Sequence, residues 1–241
     1  MAENSAGTSG NGQEKVHIEA SKLGTKEYWD SRYETELENF KESGDEGEVW
    51  FGRSAENRIV KYLVETHKRD VPILDLGCGN GSILRRLREK GFTKLTGVDY
   101  CPAAIDLATD ASEEGEEETG VEIQYRVFDL LCPEDLASLS ADCGVVLDKG
   151  TWDAMSLCDE AERDKRRTSY AEAVQRATPA PTDELTAELV IISCNFTCSE
   201  LRDQFEKFPF LRFKTEIPAV SSFSFGGATG VTSSGAVFQR I

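Results

Sequence analysis

The chain has 241 residues, 39 % hydrophobic and 29 % charged, the make-up of one sizeable globular domain and short of what two need. No apolar run approaches the ~20 residues that span a bilayer, which argues against a membrane partner. The balance of 44 acidic against 27 basic residues, a formal net charge of −17, argues against nucleic acid, whose phosphates are neutralised by Lys and Arg, and suits a basic partner.

The N-terminal stretch MAENSAGTSGNGQEK has neither the apolar core of a signal peptide nor the Arg-rich character of a transit peptide. Residues 1–20 are expected to be a disordered tail, because so polar a segment buries too little surface to offset its ordering entropy. Residues 21–241 then form a single domain. From Lys26 to Phe40 an amphipathic stretch carries Tyr28, Trp29 and Tyr33; GDEGEVWFG follows, mixing turn-forming glycines with two large aromatics. Ser54 is placed to cap a helix whose Ile59, Val60, Leu63 and Val64 form one apolar face.

Alternation begins near Val71. PILDLG reads as a buried strand, SILRRLREKGF as a helix, KLTGVD as a strand, and Pro102 opens the next helix. Glu113, Glu114, Glu116, Glu117 and Glu118 read as a solvated loop. Strands IQYRVFD and CGVVLD, a helix from about Ala161 to Ala177, and strand ELVIISCN come next. Thr197 and Glu200 have the spacing of a capping box. The final strands, RFKTEI and GAVFQRI, have only a Ser/Gly-rich loop between them, so they must pair antiparallel. The expectation is an α/β fold: a Rossmann-like, doubly wound, seven-stranded sheet ending in an antiparallel hairpin.

Seven cysteines form no CxxC pair, and His17 and His67 lack neighbouring ligands, so no metal site is expected. The odd cysteine count and the polar N-terminus point to a reducing, cytoplasmic setting. With no exposed apolar stripe, a monomer is expected.

Ile73 to Gly81, ILDLGCGNG, joins the first strand to its helix. Gly77, Gly79 and Gly81 let the backbone turn tightly and approach a ligand. The dinucleotide fingerprint is GxGxxG; here the spacing is GxGxG, and Asp75 stands two residues before the first glycine. An acid there repels pyrophosphate and suits a cationic methionine moiety. The spacing resembles motif I of class I methyltransferases, which implies S-adenosylmethionine as cofactor, with Cys78 and Asn80 on the same loop. Asp99 ends the second strand, where an acid can accept from both ribose hydroxyls, with Tyr100 beside it. Asp129 ends the third strand and fits the position that receives the adenine amino group in this class; Leu130 offers the neighbouring N–H.

Methyl transfer from a sulfonium is an in-line displacement needing no metal, and the protein must hold the reactants close and aligned. A lysine nucleophile must also lose its proton; with a pKa near 10.4, about one amine in a thousand is neutral at pH 7.4, a cost of roughly 4 kcal/mol. An apolar channel lowers that pKa. The candidate segment LDKGTWDAMSL places Asp148 at the carboxyl end of the fourth strand, where donor and target meet, and Trp152 beside it as a channel wall. Two readings stand for each: Asp148 as an acceptor toward the reactants or as a helix-capping acid, Trp152 as channel wall or as core packing.

YWDSRYETELENFKESGDEGEVWFG, ILDLGCGNG, TGVDYCPAAI, LDKGTWDAMSL, ISCNFTCSEL and FSFGGATG…AVFQ together resemble the eukaryotic translation elongation factor 1-alpha lysine methyltransferase 2 family, from about residue 26 to the C-terminus. The resemblance implies methylation of a lysine on elongation factor 1-alpha, a basic protein. It implies that Trp50, Phe51 and Gly52 cover the cofactor and that Asn195 faces the target channel; for Arg53, just behind, two readings stand, a partner for the cofactor's carboxylate or a plain surface arginine. The Glu-rich insertion and ATPAPTDELTAE, where a Pro-Gly-Gly turn is common in the family, depart from it. The alternatives are a class I methyltransferase for another protein or a small molecule, and a catalytically silent methyltransferase fold serving as a binding subunit. A nicotinamide dehydrogenase is opposed by loop spacing and hairpin. A nucleic-acid amino-methyltransferase is opposed by DKGTW standing where [DN]PP[YFW] is common.

Overall fold

A computed structural model describes residues 19–219, 223–225, 228–230 and 232–241; the expected tail lies outside them save for Glu19 and Ala20. After a 3₁₀ turn, Lys22–Gly24, the elements run α1 (Lys26–Ser43), α2 (Gly52–Thr66), β1 (Ile73–Leu76), α3 (Ser82–Glu89), β2 (Leu95–Asp99), α4 (Pro102–Asp110), α5 (Glu113–Thr119), β3 (Ile123–Val127) and α6 (Pro133–Ala137). They continue with β4 (Val145–Lys149), α7 (Thr151–Ser156), α8 (Glu160–Ala177), β5 (Glu188–Ser193), α9 (Cys198–Phe205), β6 (Leu211–Glu216), β7 (Phe223–Phe225), β8 (Ala228–Gly230) and β9 (Ser234–Arg240).

Seven strands form one sheet in the order β3-β2-β1-β4-β5-β9-β6. The five from β3 to β5 are parallel, and β9 lies antiparallel between β5 and β6. The expected terminal hairpin is therefore present, with the last strand inserted inside the edge strand. Its connection is more than a loop, since β7 and β8 pair as a separate two-stranded ladder.

Because successive strand residues point to opposite faces, each central strand feeds two cores. Ile73, Val145 and Val190 pack with Ile59 and Leu63 of α2 and with Ile83, Leu84 and Leu87 of α3. Their neighbours Leu74, Val146 and Ile191 pack with Tyr170 and Val174 of α8 and with Leu201 and Phe205 of α9. Each such side chain is worth about 1.5–3 kcal/mol when fully buried. Helix α1 packs on α4 through Tyr33, Ala104 and Leu107, with Trp29 and Phe40 alongside.

Two helices differ from their sequence expectation. Helix α2 starts at Gly52, so Ser54 lies inside it; Phe51 and Gly52, both left-handed at φ 64° and 73°, make a tight turn closed by Gly52 N–H on the Val49 carbonyl at 2.8 Å. The Glu-rich segment is helix α5 rather than a loop. The Arg88 guanidinium lies beneath Gly115 and donates to the carbonyls of Ser112 (2.9 Å) and Val121 (3.3 Å), pinning both flanks, and Gly120 closes the helix in the left-handed region. Pro102 does open α4, and the Thr197–Glu200 capping box is formed in both directions.

Candidate active site

The carboxyl ends of β3, β2, β1 and β4 open into one cavity of about 290 Å³. The loop after β1 forms its floor. Gly77, Gly79 and Gly81 have φ of 70°, 53° and 70°, a region costly for residues with a side chain. A Cβ on Gly79 would stand 2.3 Å from the Tyr33 hydroxyl, and one on Gly77 2.1 Å from the Thr151 hydroxyl, so two elements close on this loop. Gly77 and Cys78 donate their N–H groups to the Val98 carbonyl, at 2.8 and 3.0 Å, fixing the loop to β2.

Asp99 accepts from Gly79 N–H at 3.1 Å and from Cys101 N–H at 3.0 Å while lining the cavity. Burial pushes its pKa up to about 6 against these two bonds. Asp129 and Leu130 line the cavity at the end of β3; Asp129 Oδ1 accepts from Leu131 N–H at 2.8 Å, and its own N–H donates to Asp135 at 2.7 Å. Tyr100 lines it too, with the Lys26 ammonium 4.2 Å from its ring centre. Asn80 ties the floor to the covering loop by donating to the Glu46 carbonyl at 2.8 Å. Asp75 is buried behind the floor and does not border the cavity; withdrawal from water pushes its pKa up to about 7, opposed by Lys149.

Of the covering residues, Trp50 lines the cavity, and its buried indole N–H has no partner among the described residues. Phe51 lines it as well; it is the one described non-glycine residue at positive φ, and its ring fills the space beside Gly150. Arg53 is elsewhere. Its side chain is 56 % exposed, bonds Glu56 (3.3 Å) and Ser82 (2.9 Å), and does not line the cavity. The implied carboxylate contact of Arg53 has no geometry behind it here, and the surface-arginine reading does.

On the reaction side the structure separates the expected residues. Asp148 is 0 % exposed and does not border the cavity. One of its oxygens accepts from Gly150 (2.9 Å) and Thr151 (2.8 Å), the other from Trp152 (2.8 Å) and from the Tyr170 hydroxyl (2.6 Å). Of the two readings, the helix-capping acid is the one with geometry behind it, because every acceptor direction is spent on α7 and α8. Burial pushes its pKa up to about 7, with the Tyr170 bond opposing. Trp152 is core: its ring packs 5.1 Å from Tyr170 and 4.6 Å from Phe205, off the cavity. Asn195 does line the cavity, exposed at the end of β5. Its loop is held by Asp153, which accepts from the N–H groups of Cys194 (2.7 Å) and Asn195 (3.2 Å) and from the Ser193 hydroxyl.

Sequence reasoning missed Leu23, Trp29 and Tyr33 as cavity walls, and Lys149 and Arg166 as its cations. Lys149 carried a signal, being adjacent to Asp148 at a strand end. The others come from distant segments, and only tertiary folding brings them here.

The residues fit a sulfonium nucleoside of amino-acid type. The floor is bare backbone, Asp99 stands mid-cavity as acceptor for hydroxyls, and Leu130 N–H has no partner among the described residues, as an adenine acceptor requires.

Comparison with known proteins agrees. A family model described as "Methyltransferase domain" matches residues 51–204. The "EEF1A lysine methyltransferase 2" of Mus musculus is 40 % identical over 222 residues, covering 91 % of this chain and 84 % of its own. That of Homo sapiens is 38 % identical, covering 92 % and 88 %. "Protein-lysine N-methyltransferase efm4" of Schizosaccharomyces pombe is 40 % identical, covering 91 % and 94 %. Among solved structures, a SAM-dependent methyltransferase from Anabaena variabilis superposes with TM-score 0.60 at 14 % identity, over 94 % of this chain and 98 % of that one. Magnesium protoporphyrin IX methyltransferase from Synechocystis with bound SAM gives 0.56 at 14 %, over 87 % and 97 %; at these identities both speak for the fold. The chain is a class I, S-adenosylmethionine-dependent methyltransferase and belongs to the protein-lysine methyltransferase family that includes EEF1A lysine methyltransferase 2 and efm4.

Proposed function

We propose that this enzyme methylates a lysine side chain of translation elongation factor 1-alpha, acting as a monomer in the cytoplasm, with neither nucleic acid nor membrane as partner. The observation that carries the substrate is the likeness, 34–40 % identical over nearly the whole chain, to relatives named for that factor or for protein-lysine methylation. The net charge of −17 supports it independently, since a basic substrate is drawn to such a field.

The bound cofactor supplies an electrophilic methyl group on a sulfonium. Gly77, Cys78, Gly79, Asn80 and Gly81 form the floor beneath it, Asp99 accepts from the ribose, and Asp129 and Leu130 take the adenine. Tyr100 and Trp50 flank it, and Asp75 lends negative charge from behind the floor. Trp29, Trp50 and Phe51 wall the cavity and withdraw the incoming ammonium from water, favouring the neutral amine. Asn195 stands at the channel, and Asp153 holds the loop that carries it. Asp148 acts as a positioning residue, holding α7 against the cavity without touching the reactants.

The test is transfer of radiolabelled methyl to purified elongation factor 1-alpha, followed by mapping of the labelled peptide. One labelled lysine, with label lost when that lysine becomes arginine, is the expected outcome. Labelling of another protein but not of this factor in a whole lysate would reject the substrate and keep the chemistry.

A further inference from the structure

The cavity has a direction. Asp129 and Leu130, placed to take the adenine, follow β3, the ribose acceptor Asp99 ends β2, the glycine floor follows β1, and β4 comes next in the sheet. A ligand laid along those ends puts its amino-acid moiety at β1 and β4. That moiety is a zwitterion, so it needs an anion for its ammonium and a cation for its carboxylate.

The anions are present on the α2 face of the sheet. Asp75 lies two residues beyond Ile73 and pairs in register with Leu147, and Lys149 lies two residues beyond Leu147. Ile73 and Leu147 both belong to the α2-side core, so by strand alternation Asp75 and Lys149 point to that side. Glu56 of α2, itself fully buried, meets them there, with its Oε1 4.0 Å from the Lys149 ammonium.

The cations bordering the cavity, among the described residues, are Lys149 and Arg166. Arg166 is committed to the Gly24 carbonyl at 2.9 Å and to Glu162 at 3.3 Å, on the side of the 3₁₀ turn. Lys149 is 15 % exposed and, among the described residues, makes one hydrogen bond, to the Trp50 carbonyl at 3.0 Å. An ammonium has three donors, so two are uncommitted. Glu56 does not neutralise it alone, because Arg53 (3.3 Å) and Arg86 (3.2 Å) share that carboxylate and Ser82 donates to it at 3.1 Å.

The geometry points to Lys149 as the residue that holds the carboxylate of the cofactor's methionine moiety, with Asp75 and Glu56 setting the opposite charge for its ammonium. This assigns to Lys149, which borders the cavity, the contact that the family resemblance implied for Arg53, which does not. It holds whichever lysine on whichever protein is methylated.

The experiment is calorimetric binding of S-adenosylmethionine and of decarboxylated S-adenosylmethionine, which keeps sulfonium, adenosine and ammonium and lacks only the carboxylate. The wild-type enzyme is expected to prefer the carboxylated ligand by roughly tenfold or more, the worth of a charge-assisted contact. Lys149→Met is expected to lose most of that preference, Lys149→Arg to keep part of it, and Arg53→Met to keep all of it. Thermal unfolding of each variant separates misfolding from lost contact, and the wild-type ratio stands whatever the variants do. A wild-type enzyme that binds both ligands alike, a Lys149→Met enzyme that discriminates as the wild type does, or an Arg53→Met enzyme that loses discrimination would each overturn the assignment. Lowered turnover in Lys149→Met with unchanged ligand preference would overturn it too, placing Lys149 beside the target amine instead.

Discussion

Asp148 caps the N-terminus of α7 with three backbone bonds and takes a fourth from the buried Tyr170 hydroxyl. Removing it strands those donors away from water, which costs about 3 kcal/mol or more in total. For a domain of this size that corresponds to roughly 6–12 °C of thermal midpoint. Asp148→Ala should therefore lose activity through lost structure, with a much lower midpoint and weakened cofactor binding. Asn195→Ala, on an exposed cavity wall, should leave the midpoint within about 2 °C and lower turnover with cofactor affinity unchanged. Thermal unfolding beside methyl-transfer rates checks both, and an Asp148→Ala enzyme that is stable yet inactive would contradict the capping role. The sequence located Asp148 correctly at the end of β4 but left its role open, because the partner that decides it, Tyr170, lies 22 residues further on. The glycines were legible for the opposite reason: their spacing is local and the strain they relieve is in the backbone itself.

At the scale of elements, the 3₁₀ turn Lys22–Gly24 is a strap across one side of the cavity. Ser21 N–H donates to the Leu157 carbonyl at 2.9 Å, Arg166 donates to the Gly24 carbonyl, and Leu23 forms part of the wall. Gly24 lies against the backbone after α7 so closely that a Cβ would stand 2.3 Å from the Leu157 carbonyl oxygen. That neighbour is main chain and cannot rotate aside. Gly24→Ala should lift the strap and leave the sheet intact: cofactor dissociation speeds up roughly tenfold, and protease cuts sooner near residues 19–25. Stopped-flow release of the demethylated cofactor and timed proteolysis measure these, and unchanged rates in both would mean the strap does not gate the cavity. Strand and helix order was readable because alternating apolar runs are a property of short windows. Helix α5 was not, because its Glu-rich sequence has no apolar face and its order comes from Arg88, on a different helix.

The whole molecule is set by its excess of acid. Four buried carboxyls have pKa values raised chiefly by burial, Asp75 and Asp148 to about 7 and Asp99 and Asp153 to about 6. In the unfolded chain they lose protons near pH 4, so between about pH 4 and 7 the folded state binds more protons and stability falls as pH rises. Glu36, raised by burial, adds to the four, while His67, whose pKa burial lowers, and Glu134, held down by the Cys132 thiol, act the other way below about pH 6.5. The cofactor-free enzyme should thus unfold at a higher temperature near pH 5.5 than near pH 7.5. A cationic ligand beside Asp75 and Asp99 favours their charged forms, so its stabilising effect should be larger near pH 7.5; scanning fluorimetry with and without cofactor reads both. The net charge of −17 acts at longer range. Attraction between an acidic enzyme and a basic substrate is screened over about 8–10 Å at physiological salt, whereas the cofactor is held inside a cavity where ions screen little. Raising salt from about 50 to 300 mM should therefore raise KM for the protein substrate several-fold, with kcat and the KM for cofactor nearly constant. A short peptide around the target lysine, carrying little of the substrate's charge, should show a shallower dependence. Equal salt dependence for peptide and intact protein would mean that recognition is confined to the cavity and that the surface charge serves solubility alone.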